Sequence, residues 1–135
     1  MATAQSQLQA VERQQAPTEE ASLATATASG SAWLTLVDQA KFGESWDVAA
    51  EIFRIGVPRE KWIDAVGAVR GPFGKLVSRK SKATEAKSAL PGAPDGQYVV
   101  MQFDSSFEKK QVAVETLTVR QEADGAWKAA GYFVK

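Results

Sequence analysis

The sequence predicts an α+β fold in which three N-terminal helices pack on a curved four-stranded antiparallel sheet. Two observations predict it: apolar residues recur at helical spacing up to residue 71, and β-branched and aromatic runs separated by turn-forming clusters then follow to the end. Short connections between successive strands are typical of an antiparallel meander. With 135 residues, the chain is long enough for one domain with its own hydrophobic core.

Residues 1–17 are predicted to form a flexible tail, and residues 18–135 are predicted to form a single α+β domain. The tail is rich in glutamine and poor in large apolar side chains, so it buries too little surface to offset the entropy of ordering. Its segment Ala2–Gln5 resembles the end of a cleaved export signal. The mature protein is therefore expected in the periplasm or outside the cell, with a cytoplasmic location left open.

The helical part of the sequence divides into three amphipathic segments. Residues 18–40 form the first helix, with acidic residues in its first turn and Gly30 as a weak point. A second, short helix is predicted over residues 43–54. The third begins at Pro58, whose fixed φ suits the first helical position, and ends at the Gly71–Pro72 pair.

Three strands follow in the C-terminal half, each rich in β-branched or aromatic residues and each bounded by a turn-forming cluster. They cover residues 98–103, 112–119 and 127–134. In the first of them, alternation places Val99, Met101 and Phe103 on one face of the sheet. These strands are predicted to form the meander.

The first strand of the sheet is predicted over residues 75–90. Its alanines, lysines and glutamate favour a helix by propensity, but its apolar spacing is poor and it runs directly into a hairpin-like turn. Its basic residues outnumber its single acid, Glu85; they are Lys75, Arg79, Lys80, Lys82 and Lys87. This basic stripe either protects an edge strand from aggregation, which the sequence favours, or attracts an acidic partner or a membrane surface.

The segment Val69–Ser78, VRGPFGKLVS, resembles a phosphate-binding loop because glycines precede a lysine. That loop requires glycine, four residues and then Gly-Lys followed by a hydroxyl residue. Val69 stands at the position of the first glycine, and Leu76 stands at the position of the hydroxyl. A helix enters this segment and a strand leaves it, the reverse of the required order. The segment is therefore interpreted as a helix stop.

Composition excludes several chemistries. Cysteine, histidine and asparagine are absent, so thiolate nucleophiles, histidine relays and histidine-bearing zinc sites are excluded. Lysine plus arginine equals aspartate plus glutamate at 16 each, so no overall field favours nucleic acid. No stretch has the ~18 apolar residues of a membrane-spanning helix, so no membrane insertion is expected. No cofactor and no metal site are predicted.

Several blocks of the sequence, in one order, resemble a bacterial family catalogued as domain of unknown function 4019. They are AWLTLVDQAKFGESWDVAAEIFR, KWIDAVGAVRGPFGKLVSRK, LPGAPDGQYVVMQFDSSFEKK, and AVETLTV with GAWKAAGYFVK. The resemblance runs from Ala32 to the C-terminus and implies a small, often exported α+β protein whose layout is similar to nuclear-transport-factor-like or cystatin-like folds. It implies no agreed activity and no catalytic residues. Pro58 departs from the serine-type helix cap expected there.

Glu115 has two interpretations, because both faces of its strand carry apolar residues. If the face that it shares with Leu117 and Val119 is the inner one, a carboxylate lies among apolar groups, with a raised pKa and a general-base role. If the opposite face is inner, Glu115 is exposed to solvent. The sequence favours the exposed interpretation, since buried glutamates are rare.

Arg70 precedes the predicted helix stop. It either bonds to the last helical carbonyls, which the sequence favours, or reaches an anionic ligand or Glu115. The tryptophans of the three helices, Trp33, Trp46 and Trp62, either line a ligand pocket or belong to the core, which the sequence favours.

The leading hypothesis is a non-enzymatic accessory or binding module. It would bind a protein partner or small ligand through the helix–sheet cleft or the sheet face, as a monomer or weak homodimer. The candidate ligand-binding residues are Trp46, Trp62, Arg70, Tyr98 and Glu115. The alternative is a small acid–base enzyme of the isomerase, cyclase or hydrolase type, with a carboxylate in a cone-shaped pocket and Tyr98 or Tyr132 as its partner.

Overall fold

The structure is a computed structural model and describes residues 19–135. The predicted tail and the segment Ala2–Gln5 therefore lie outside the described residues. Within residues 19–135, four helices precede four strands. The helices are α1 (Glu19–Asp38), α2 (Phe42–Asp47), α3 (Glu51–Gly56) and α4 (Arg59–Phe73). The strands are β1 (Leu76–Lys87), β2 (Tyr98–Phe107), β3 (Lys110–Gln121) and β4 (Trp127–Val134).

The predicted second helix, residues 43–54, is two short helices, so this prediction was wrong. The break lies at Ala50, which is extended at φ −61° and ψ 149°. Its N–H donates to the carbonyl of Ala129 at 2.8 Å, so the chain is tied to β4 at this point. A tertiary contact, which helical periodicity does not report, interrupts the helix.

The ends of the other two helices also differ from the prediction. Helix α1 ends at Asp38, and Ala40 follows with a φ of 60°. Helix α4 runs through Pro72 to Phe73. The helix tolerates this proline because, in the last turn, it removes only one backbone hydrogen bond. It ends at Gly74, whose φ of 75° favours glycine. Strand β1 follows directly, which confirms the helix-then-strand order predicted for this segment.

The four strands form one antiparallel sheet in the order β1-β2-β3-β4. The prediction of an α+β fold with helices on a four-stranded meander is confirmed, including the ambiguous first strand. Because each strand pairs with its neighbour in sequence, β1 and β4 are the edges of the sheet.

The core lies between the helices and one face of the sheet. Val99, Met101 and Phe103 are buried on that face, as the alternation predicts. Trp33 and Trp62 are buried against them, with ring centroids 6.0 Å apart. Both tryptophans belong to the core cluster.

None of the helices within residues 19–135 combines the length and the apolar character that a membrane-crossing segment requires.

Candidate functional site

A chain of ion pairs joins the helices to the sheet beside the core. Arg79 donates from Nε and Nη2 to the two carboxylate oxygens of Glu115 at 2.7 and 3.0 Å. It also donates from Nη1 and Nη2 to the carboxylate of Asp38, at 2.9 Å each. Asp38 in turn accepts from Arg70 at 2.9 Å. We call these four residues the ionic chain; its two positive and two negative charges cancel.

Glu115 is fully buried on the inner face of β3, so the solvent-exposed interpretation favoured from sequence was wrong. Besides Arg79, its carboxylate accepts from the hydroxyls of Ser105 and Tyr132, each at 2.5 Å. Its partners lie on all three other strands. Four donated hydrogen bonds therefore offset the cost of burying the charge.

These contacts determine the protonation of the site. Burial alone raises the pKa of the Glu115 carboxyl, but hydrogen bonds from Arg79, Ser105 and Tyr132 outweigh burial and hold the pKa below its ordinary value. Burial likewise raises the pKa of Asp38, and its arginine partners bring the pKa below the ordinary value. Burial, followed by the charge of Glu115, raises the pKa of Tyr132. At neutral pH both carboxyls are ionised and the phenol is protonated.

Arg70 does not bond to the last carbonyls of its helix, which was the interpretation favoured from sequence. Its guanidinium pairs with Asp38, donates to the Tyr132 hydroxyl at 3.4 Å and lies 4.6 Å from the centre of the Phe107 ring. The predicted bonds to the last carbonyls of its own helix are replaced by these contacts. Among the described residues, the buried Nε of Arg70 has no hydrogen-bond partner.

An apolar cleft of about 150 Å³ lies between α4 and β4. We call it the α4–β4 cleft; its walls are Trp62, Ala65, Val66, Val69, Tyr132, Phe133 and Val134. Two residues of its rim are exposed, Val69 at 40% and Phe133 at 55%. The polar group nearest its base, the Tyr132 hydroxyl, is engaged by Glu115 and Arg70. The cleft therefore presents apolar surface to a ligand.

The five residues predicted from sequence do not form one site. Trp62 lines the cleft, and its indole N–H donates to Ser45 Oγ at 2.9 Å. Trp46 donates to the carbonyl of Val57 at 2.6 Å and packs against the core. Tyr98 is the first residue of β2, at the other end of that strand from Ser105. It is buried, and its hydroxyl donates to the Pro94 carbonyl at 2.5 Å. Arg70 and Glu115 belong to the ionic chain beneath the cleft.

Sequence reasoning did not assign Asp38 or Arg79 to the site, and it named Tyr132 only as a partner of the carboxylate in the enzyme alternative. Arg79 is the one arginine in a strand whose other basic residues are lysines, and arginine suits a buried pair with two carboxylates. A single arginine among the lysines of this strand is the signal by which Arg79 could have been found.

The fold and the site together define a small α+β domain whose helices cover one face of an antiparallel meander and enclose a neutral ionic chain. The chain belongs to the family described as "Protein of unknown function (DUF4019)", whose model matches residues 29–132. A ketosteroid isomerase-like protein from Erwinia carotovora atroseptica SCRI1043 is a solved structure to which it is similar. The two share 17% identity at a TM-score of 0.46, over 83% of this chain and 93% of the other. No curated protein matches the sequence.

Glu115→Gln is predicted to lower the free energy of unfolding by about 3 kcal/mol, because it leaves a buried arginine charge without one of its two partners. The side chain of Arg79 is only 15% exposed. Urea denaturation measures the loss. Asp47→Asn is the control: it breaks an ion pair with Arg59 in which both side chains are more than 40% exposed, so it should change stability little. Equal losses in the two variants would contradict a structural role for the ionic chain.

Stability is predicted to fall as the pH drops below about 4, where carboxyls of an unfolded chain take up protons. The pKa values of Asp38 and Glu115 are lowered by folding, so their contribution is present above that pH and is lost as the pH falls through the folded-state values. Urea denaturation across a pH series measures this acid slope. The slope should be smaller in Glu115→Gln, and an unchanged slope would contradict the assignment to Glu115.

Proposed function

We propose that the protein is a non-enzymatic binding module whose α4–β4 cleft receives an apolar side chain from an extended segment of a partner. The observation that carries this proposal is the open apolar cleft itself, whose wall residue Tyr132 bonds to Glu115 of the ionic chain. Of the options in the leading hypothesis, the proposal selects binding in the cleft and a protein segment as the ligand.

The size of the cleft favours a side chain over a larger ligand. Pockets for drug-sized molecules are usually ~300–1,000 Å³, whereas a cavity of ~150 Å³ holds one benzene-sized group. The α4–β4 cleft, at about 150 Å³, has the smaller size. The exposed rim residues Val69 and Phe133 extend its apolar surface outward. Residues of a partner that flank the inserted side chain would bury this surface.

The edge of β4 beside the cleft favours an extended segment. Lys135 and Val114 exchange both backbone hydrogen bonds, at 2.9 and 3.1 Å. By the alternation of an antiparallel ladder, the backbone N–H and C=O groups of Tyr132 and Val134 then point away from β3. Within residues 19–135, no further strand pairs on that side. An added strand would take up those groups and place one side chain in the cleft.

The two edges of the sheet differ in how they discourage such pairing. Strand β1 carries lysines and two register irregularities, between Leu76 and Ser78 and between Ser81 and Ala83. Both features discourage an incoming strand. The last part of β4, residues 131–134, is uncharged. This difference between the β1 and β4 edges supports β4 as the edge that binds a partner.

A second candidate is the acid–base enzyme, favoured by one observation: the Tyr132 side chain lines the cleft and bonds to the buried carboxylate of Glu115. A general base works best with a pKa near the working pH. The lowered pKa of Glu115 and the raised pKa of Tyr132 place both groups away from that condition. Titration of the Glu115 carboxyl by carbon NMR separates the candidates, because a value near neutrality would favour the enzyme.

Ala65→Phe is predicted to block the cleft, because Ala65 is an exposed residue of its wall. Peptides selected from a phage-displayed library against the wild-type protein should carry an apolar residue at a fixed position. They should lose roughly tenfold or more in affinity for the variant, the range for an anchor residue displaced from its pocket.

Ala68→Phe is the matched control, since Ala68 is exposed on the same helix and is not among the residues that line the cleft. Its affinity for the selected peptides should be unchanged. Selection that yields no peptides, or peptides that bind both variants equally, would contradict the proposal.

A further inference from the structure

Lysines gather along the first part of β1 and at the neighbouring β2–β3 hairpin. We call this region the lysine end; its lysines are Lys75, Lys80, Lys82, Lys109 and Lys110. Two exposed carboxylates lie among them, Asp104 and Glu108, which leaves a local excess of three positive charges. The whole chain has equal numbers of basic and acidic residues, so charge is segregated on this surface.

Backbone pairing holds Lys75 beside the hairpin that carries Lys109 and Lys110. The N–H of Glu108 donates to the carbonyl of Lys75 at 2.9 Å, and the N–H of Lys109 donates to the carbonyl of Phe73 at 2.8 Å. These bonds fix the hairpin turn beside the start of β1. Lys80 lies opposite Asp104, and the ammonium of Lys82 is 3.8 Å from the Asp104 carboxylate.

Two apolar side chains are exposed among the lysines. Val77 is 66% exposed and Val112 is 83% exposed. Ala113, the neighbour of Val112, is buried on the helix-covered face, so alternation places Val112 on the outer face. Val77 lies in the register irregularity of β1, next to the pairing of Ser78 with Ser106. The two valines therefore flank β2 at the lysine end.

Protection of the sheet edge explains only part of this arrangement. Lys80 and Lys82 lie on an edge strand, where charge discourages pairing with another chain. Lys109 and Lys110 lie at the hairpin, and Val112 lies on an interior strand. An exposed valine does nothing to discourage aggregation. A surface that combines these lysines with exposed aliphatic groups needs a further explanation.

We propose that the lysine end attaches the protein peripherally to an anionic lipid surface. A cluster of four to eight cationic side chains is the pattern that anionic headgroups attract, and a few apolar groups at the boundary strengthen that attraction. The cations here are all lysines, which act as point charges, whereas docking of a structured acidic peptide favours the planar fork of arginine and aromatic anchors. The attachment is independent of the α4–β4 cleft.

Co-sedimentation of the full chain with lipid vesicles tests this proposal. The protein should bind vesicles of phosphatidylglycerol and phosphatidylcholine in equal parts, should not bind vesicles of phosphatidylcholine alone, and should be released by added salt. The double variant Lys80→Glu with Lys109→Glu should lower the partition coefficient roughly tenfold or more. Val112→Asp should weaken binding as well, without a folding defect, because its side chain is almost fully exposed.

The matched control is Lys41→Glu with Lys61→Glu, which makes the same change of net charge at exposed lysines on the helical side. It should keep more of its vesicle binding than the double variant. Equal binding by the two double variants, or equal binding to both kinds of vesicle, would overturn the proposal. Binding to polyglutamate without binding to anionic vesicles would also overturn it, and would assign the lysine end to an acidic protein.

Discussion

The guanidinium of Arg79 is the group on which the arrangement of this protein depends. It bonds to Asp38 at the end of the first helix and to Glu115 in the middle of the sheet, so one side chain on an edge strand joins the two layers. Arginine suits this role because its fixed fork satisfies two carboxylates at once. A lysine at the same position would offer a single ammonium group and would leave part of the carboxylate oxygens without donors.

The same contacts decide what the cleft offers to a ligand. Beneath it, the Glu115 carboxylate accepts four hydrogen bonds, and the Tyr132 hydroxyl is engaged by Glu115 and Arg70. What reaches the cleft is therefore the apolar surface of rings and aliphatic side chains. The charges of the buried ionic chain and those of the lysine end are arranged differently. Inside, charge is paired and neutral; at the lysine end, it is unbalanced and exposed.

The order of elements was predictable from sequence because it depends on periodicity and on turn residues, both of which are local. The strands from Tyr98 onward alternate clearly, and the order helix-then-strand around Gly74 follows from its neighbours. The break of the second predicted helix was not predictable, because the contact between Ala50 and Ala129 joins distant parts of the chain.

The candidate site was only partly predictable for a related reason. Both faces of β3 carry apolar or threonine side chains, so alternation identified the faces and could not decide which one is covered. Glu115 is buried because arginine, serine and tyrosine from three other strands reach it. Asp38 and Arg79 are 41 residues apart, and no short-range pattern relates them. The individual residues are visible in the sequence, but their meeting is a property of the fold.

The consecutive strand order has a consequence for how the molecule assembles. Each hairpin of the meander closes a short stretch of chain, which is the kind of contact that forms quickly. The helices are synthesised before the strands, so the apolar surface that the sheet covers is exposed until strands are available to cover it. Contacts between the two layers close much longer loops, such as the 62 residues that separate Arg70 from Tyr132, so they carry a larger entropic cost of closure than the hairpins do.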